Sequence, residues 1–117
     1  MDEVQFDGRI DCELVTGLSG EQVVALYLSR GWRARKSSWT GYELQSPWAD
    51  LVLDSGTDFL LHGPVADPVR RADELLGPLR EAGVRYWGEF HHVNGELLQE
   101  FRWERAEQVA APDRPRD

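Results

Sequence analysis

Apolar and polar residues alternate over residues 9–15, near the start of the chain. Ile10, Cys12 and Leu14 fall on one side of this alternation, and charged residues fall on the other. A period of two residues is typical of a β-strand with one buried and one solvated face. The pattern therefore predicts an opening strand whose charged face lies in water.

Two later segments carry the terminal signals of helices. Ser19 and Gln22 have the spacing of a capping box, and Gly31 has the backbone freedom that ends a helix. Asp67 and Pro68 predict the start of a second helix, because an aspartate caps free amides and a proline has no amide to satisfy. The sequence thus predicts one helix before Gly31 and another from Asp67 onwards.

A first hairpin is predicted around Gly56, between the apolar runs 51–53 and 59–61. Pairing of these runs across the turn places Asp50 opposite His62. An aspartate that orients a histidine is half of a general-base arrangement, and the same pair can also serve only to hold the register. Asp50 and His62 are therefore candidate catalytic residues, for which the sequence places no nucleophile.

A second hairpin is predicted over residues 86–103, because an Asn-Gly dipeptide at 94–95 favours a two-residue type I′ turn. This pairing places Glu89 directly opposite Glu100, with His91 nearby. Two carboxylates and a histidine suit a divalent metal, so these three residues are candidate ligands. The alternative is a solvated face on which an arginine balances the carboxylates.

The predicted elements follow the order strand, helix, strands, helix and hairpin, in a chain of 117 residues. This order predicts the α+β class, with a ferredoxin-like antiparallel sheet that has two helices on one face and ends in a β-hairpin. Residues 9–103 are predicted to form this single domain, between a flexible lead-in at 1–8 and a flexible tail at 104–117. The pattern is weakest over 32–50, where one strand is predicted near 40–46.

Two helices cover only one face of a sheet, so apolar side chains on the other face raise the question of a cover. A second subunit, the tail or a small ligand could supply it, and scattered apolar atoms can also stay exposed. The residues predicted to form this ligand or partner face are Val52, Leu60, Trp87, His91 and Arg102.

Charge and composition narrow the classes of function. The formal net charge is −8, which argues against nucleic-acid and anionic-membrane partners. Cys12 is the lone cysteine, no apolar run is long enough to span a membrane, and the first residues lack the pattern of a secretory signal. The expected location is cytoplasmic. The sequence contains no glycine-rich phosphate loop, CxxC or HExxH motif, and no cofactor is expected.

A basic stretch at 30–36 lies beside Trp32 and Trp39, a composition that can bind phosphates or single-stranded nucleic acid. A solvated loop is the simpler interpretation, because the chain as a whole is acidic. Binding of RNA through this stretch would require a steep dependence on salt.

A helix, the tripeptide at 82–84 and a hairpin that closes with 94–101 resemble the closing part of a vicinal oxygen chelate module. The resemblance covers roughly a third of the chain. It implies a metal-binding carboxylate on the closing strand, a position that falls on Gln99 when the glycines are aligned and on Glu100 when the phenylalanines are. The first strand lacks the histidine that such modules carry.

These observations favour a small acidic binding protein without catalytic activity. Its open sheet face would take a protein partner, a second copy of the chain or a small ligand. An acidic inhibitor or immunity-type protein fits the charge. The alternative is a small enzyme, cofactor-free or assisted by a divalent metal, with an architecture like that of a vicinal oxygen chelate module.

Overall fold

The computed structural model describes residues 5–56 and 59–104. The predicted tail at 104–117 lies outside the described residues except for Glu104, and so does the first half of the predicted lead-in. The elements in chain order are β1 (Gly8–Val15), α1 (Gly20–Leu28), β2 (Arg33–Lys36), β3 (Gly41–Ser46), β4 (Ala49–Ser55), β5 (Phe59–Val65), α2 (Ala72–Glu81), β6 (Arg85–His92) and β7 (Leu97–Trp103).

All strands join in one seven-stranded antiparallel sheet with the order β2-β3-β4-β5-β1-β6-β7. The α+β class is confirmed, but the ferredoxin-like topology is wrong. The segment 32–50 holds a strand, β2, that the sequence did not predict, and α1 leads to it at the far edge of the sheet. The chain then returns strand by strand until β5 pairs with β1, so β1 is antiparallel to both of its neighbours, β5 and β6.

One side of the sheet and the two helices share a single buried cluster. The helix α1 contacts β2, β3 and β4, the helix α2 contacts β6, and the two helices contact each other. The predicted alternation of β1 is confirmed, because Ile10, Cys12 and Leu14 are buried in this cluster. We call the side of the sheet that carries these three residues the inner face, and the side that carries Asp11 and Glu13 the outer face.

The start of α1 is as predicted, whereas the start of α2 is not. Ser19 Oγ accepts a hydrogen bond from the amide of Gln22, whose side chain accepts one from the amide of Ser19 in return. The second helix begins at Ala72 and has no side-chain cap. The carboxylate of Asp67 instead binds the guanidinium of Arg70 at 2.6 Å, so it does not cap the helix.

Both helices end in the same backbone arrangement, as their glycines predict. Gly31 has a φ of 91° and Gly83 a φ of 78°, values that disfavour residues with a side chain. The amide of Trp32 then bonds back to the carbonyl of Tyr27, and the amide of Val84 makes the equivalent bond at the end of α2. This Schellman arrangement turns the chain from each helix into the next strand.

Neither α1 nor α2, the helices of the described residues, has the length and apolar character that a membrane-spanning helix needs.

The register of β6 and β7 is confirmed, although the turn that joins them is not the predicted one. The amide of Gly95 bonds to the carbonyl of His92, and of the residues 93–95 only Gly95 has a positive φ. A type I′ turn requires a positive φ at two central residues, so the loop is longer by one residue than predicted. A bulge beside Phe90 and His91 absorbs the extra residue and restores the predicted pairing along the rest of the hairpin.

The register of β4 and β5 differs from the prediction by two residues. Val52 lies opposite His62, so the predicted pairing of Asp50 with His62 is wrong. The strand β4 extends further than predicted, because Asp54 pairs with Gly41 of β3, and this extension shortens the hairpin loop. A shift by an even number of residues leaves each side chain on its predicted face.

Candidate functional site

The outer face carries a concavity of about 700 Å³ that spans the strands β5, β1, β6 and β7. We call it the cleft. Its walls and floor are formed by the outward-facing side chains of these strands, which are Asp11, Glu13, Leu60, His62, Trp87, Glu89, Glu100 and Arg102. A shallow opening of this size accommodates a small molecule or a few side chains of another protein.

The strand registers arrange these eight side chains in two parallel rows. One row consists of Leu60, Glu13, Trp87 and Arg102, and the other consists of His62, Asp11, Glu89 and Glu100. Three carboxylates are therefore consecutive neighbours in the second row. Like charges that lie directly opposite each other on adjacent strands destabilise a sheet, so this row favours the arrival of a cation.

Within the described residues, Asp11 and Glu89 of the row have basic side chains beside them, and Glu100 has none. Arg9 binds the carboxylate of Asp11 through two hydrogen bonds of 2.9 and 3.0 Å, and these bonds raise the pKa of the Arg9 guanidinium. His91 Nε2 lies 3.2 Å from Glu89 Oε1, and His91 Nδ1 lies 3.7 Å from Asp11 Oδ2. Among the described residues, neither Glu13 nor Glu100 has an ion-pair partner. The four carboxylates that line the cleft outnumber its one guanidinium, Arg102, so the cleft keeps a net negative charge.

The thiol beside the cleft is not available as a nucleophile. Cys12 contributes to the lining through its place in β1, but its side chain lies on the inner face and is 3% exposed. Burial, with smaller contributions from Glu13 and Asp11, raises the pKa of the thiol well above its ordinary value of 9.0. The thiolate, which is the reactive form, is therefore suppressed.

The structure separates the predicted catalytic pair and does not assemble the predicted metal ligands. His62 lies in the cleft, whereas Asp50 lies on β4 outside it. Glu89 is close to His91 and opposite Glu100, but no group of three or more His, Cys, Asp or Glu side chains in the described part of the chain is arranged to hold a metal ion. Of the two positions that the family resemblance implied, Glu100 lies in the cleft and Gln99 pairs with Phe90 on the inner face.

The predicted partner face coincides in large part with the cleft. Leu60, Trp87 and Arg102 line it, His91 lies beside it against Glu89, and Val52 lies next to His62 in the same row. The sequence did not single out Asp11 and Glu13 as site residues. The alternation of β1 already placed both residues on its charged face. Nothing in the sequence, however, placed β1 between β5 and β6, which also line the cleft.

Two of the arginines in the basic stretch at 30–36 are engaged in ion pairs. Arg30 pairs with Glu81, and Arg35 pairs with Glu43 at 2.9 Å. Trp32 is buried in the core rather than available for stacking on a base. The prediction of a solvated loop is wrong for part of this stretch, because Arg33–Lys36 form the edge strand β2.

Comparisons with known proteins found no relative from which a function could be inferred. No protein-family model matches the chain, and no curated protein or solved structure matches it either.

Proposed function

We propose that the protein is a binding protein without catalytic activity, and that its cleft holds a positively charged segment of another protein. The observation that carries this proposal is the row of three neighbouring carboxylates, Asp11, Glu89 and Glu100, beside the indole of Trp87. A bound cation would offset the repulsion among these carboxylates, and the reduced repulsion would contribute favourably to the free energy of binding.

The chemistry of the cleft suits an arginine or lysine side chain. A guanidinium can bind a carboxylate of the row through two parallel hydrogen bonds and can stack on the face of Trp87. The methylene groups of such a side chain would lie against Leu60, which is half-buried in the floor. One cleft thus offers both the charge and the apolar surface that a basic side chain requires.

The charge of the whole chain favours a protein as the source of this cation. A net charge of −8 repels nucleic acid and anionic membranes, and it raises the rate at which a basic protein approaches. An acidic inhibitor or immunity-type protein directed against a basic protein has these properties.

The proposal is tested by calorimetric titration with an octa-arginine peptide. The double variant Glu89→Gln/Glu100→Gln should raise the dissociation constant of the peptide roughly tenfold. The control is Glu21→Gln/Glu81→Gln, which removes the same charge from the two helices and should leave the dissociation constant within about twofold of the original.

Equal losses in the two double variants would show that the peptide responds only to overall charge, and would contradict a site in the cleft. A Trp87→Leu variant adds a second readout, because it removes the stacking surface without a change of charge. Unchanged affinity in that variant would exclude the indole from the site.

A small enzyme is the second candidate, favoured by the two histidines next to carboxylates. His62 neighbours Asp11 in the row, and His91 lies 3.2 Å from Glu89. A carboxylate can orient an imidazole as a general base for a small ligand in the cleft. Hydrolysis of p-nitrophenyl acetate above the buffer rate, with loss in both His62→Ala and His91→Ala, would favour the enzyme over the binding protein.

A further inference from the structure

The two edges of the sheet differ in how well they are protected against pairing. The strand β2 ends one edge with four residues, three of which are basic, and clustered charge is a common protection of an edge. The strand β7 ends the other edge with seven residues, of which only Glu100 and Arg102 are charged. In the described part of the chain, β7 pairs with β6 alone, so its outer edge presents unpaired amides and carbonyls.

The sequence of β7 is complementary to itself when a second copy runs antiparallel to it. Residues that face each other across an antiparallel pair share a face of the sheet, so a residue can pair only with positions of the same alternation. Centring the pair on Glu100 would set two carboxylates against each other, and centring it on Gln99 would set Glu100 against Leu98. Centring it on Phe101 sets Glu100 against Arg102 at two symmetric positions.

We propose that β7 pairs antiparallel with β7 of a second copy of this chain, with Phe101 at the twofold axis. Such a pairing is closed, because each copy uses its one unprotected edge and leaves the basic β2 edges outermost. The axis is perpendicular to the sheet, so the two clefts open on the same side of one continuous sheet.

The electrostatics of the outer face supply an independent reason for this register. Glu100 lies opposite Glu89 and has no ion-pair partner among the described residues. In the pairing centred on Phe101, the partner subunit's Arg102 takes the position on the other side of Glu100. Each carboxylate row then ends on a guanidinium, and the repulsion between Glu89 and Glu100 is partly offset.

The inner face gains cover from the same pairing. Phe101 packs on Phe90 with ring centroids 4.7 Å apart, and Trp103 stacks on Tyr86 with centroids 6.0 Å apart, yet both edge side chains remain only half-buried. The pairing sets the two Phe101 rings beside each other across the axis. Aromatic pairs of this kind stabilise adjacent strands.

The test is the molar mass in solution, measured by light scattering and by sedimentation equilibrium over a range of concentrations at about 0.15 M salt. The original chain should form a dimer. Glu100→Arg and Arg102→Glu each turn both attractive contacts into repulsive ones, so each should raise the dissociation constant of the dimer roughly tenfold or more. A mixture of the two variants should form a mixed dimer, because opposite charges then face each other again at both positions.

A matched control is Glu96→Arg, which changes the net charge as much as Glu100→Arg does but lies before the start of β7. It should dimerise like the original chain, and circular dichroism and urea unfolding should show that each variant is folded. A monomeric original chain, a dimer that survives both single reversals, or a mixture that stays monomeric would each overturn the proposal. Molar mass and peptide affinity are separate measurements, so failure of the dimer and failure of the proposed binding in the cleft are distinguishable.

Discussion

The phenol of Tyr27 on α1 donates a hydrogen bond of 2.6 Å to the carbonyl oxygen of Leu75 on α2. Both residues are fully buried, and burial raises the pKa of the phenol well above its ordinary value. This bond joins the two helices directly across the core. The two bonded helices pack on the inner face through the buried cluster, on the side of the sheet away from the cleft.

Removal of this hydroxyl should destabilise the fold. Tyr27→Phe should lower the free energy of unfolding by about 1–2 kcal/mol, because a buried hydrogen bond is lost while the ring is kept. The measurement is urea unfolding followed by circular dichroism. Tyr42→Phe is the control, because among the described residues its phenol oxygen has one hydrogen-bond partner, the exposed Lys36 at 3.3 Å. Its effect should stay within about 0.5 kcal/mol. Equal effects of the two substitutions would contradict the role of Tyr27.

Stability should fall on the alkaline side because of Cys12. The folded state raises the pKa of the thiol above its ordinary value of 9.0, so the unfolded chain loses this proton first as the pH rises. The protonated thiol therefore contributes fully to the free energy of unfolding below about pH 9. Above that pH this contribution is lost progressively, with a slope of up to about 1.4 kcal/mol per pH unit.

Urea unfolding of the original chain and of Cys12→Ser between about pH 8 and 10 tests this expectation. The serine variant should show a shallower decline, whatever its stability at neutral pH. Tyr27 and Tyr86 also have pKa values raised by burial, so both proteins should lose further stability at still higher pH. Parallel curves for the two proteins would contradict the buried, protonated state of Cys12.

The close approach of β1 and β6 under the cleft depends on Gly88. A Cβ at this position would lie 2.1 Å from the carbonyl oxygen of Asp11 and 2.7 Å from the Cα of Cys12. Because these are backbone atoms that cannot move aside, Gly88→Ala should lower the free energy of unfolding by about 3 kcal/mol.

Gly17→Ala is the matched control for this substitution, since a Cβ there would meet nothing within 4 Å. Its free energy of unfolding should stay unchanged or rise by up to about 1 kcal/mol. Thermal and urea unfolding of both variants provide the comparison. A stability of Gly88→Ala equal to that of Gly17→Ala would show that β1 and β6 lie further apart than the structure has them.

The facing carboxylates of Glu89 and Glu100 should repel each other measurably. A double-mutant cycle with Glu89→Gln and Glu100→Gln should give a repulsive coupling of about 0.5 kcal/mol at low salt, and added salt should reduce it. Unfolding is measured at a protein concentration low enough to keep the chain monomeric. A coupling of zero at low salt would remove the physical basis for a cation in the cleft.

Local features of the fold were predictable where the deciding residues are close in sequence. The capping box of Ser19 and Gln22 needs only one helical turn, and the end of α1 needs only the freedom of Gly31. The alternation of β1 requires no knowledge of its neighbours. The hairpin of β6 and β7 was predictable in its register, because the bulge offset the extra loop residue.

Predictions failed where a group or a strand has more than one available partner. The carboxylate of Asp67 pairs with Arg70, three residues on, rather than capping a helix, and the amide of Asp67 bonds to the carboxylate of Asp7, which is 60 residues away. The register of β4 and β5 likewise depends on β3, which extends β4 to Asp54. Such competition is invisible in the pattern of either segment alone.

The sequence by itself determined which side chains of the β6–β7 hairpin share a face, among them Trp87, Glu89 and Glu100. Cross-strand neighbours in a hairpin follow from the position of its turn. Only the tertiary structure decided that Asp11 of β1 joins this row on one side of Glu89. The order of strands depends on which edges pair across long stretches of chain, where loop closure and packing of the whole core compete. The charged face of β1 was legible in the sequence, whereas its place at the centre of the sheet was not.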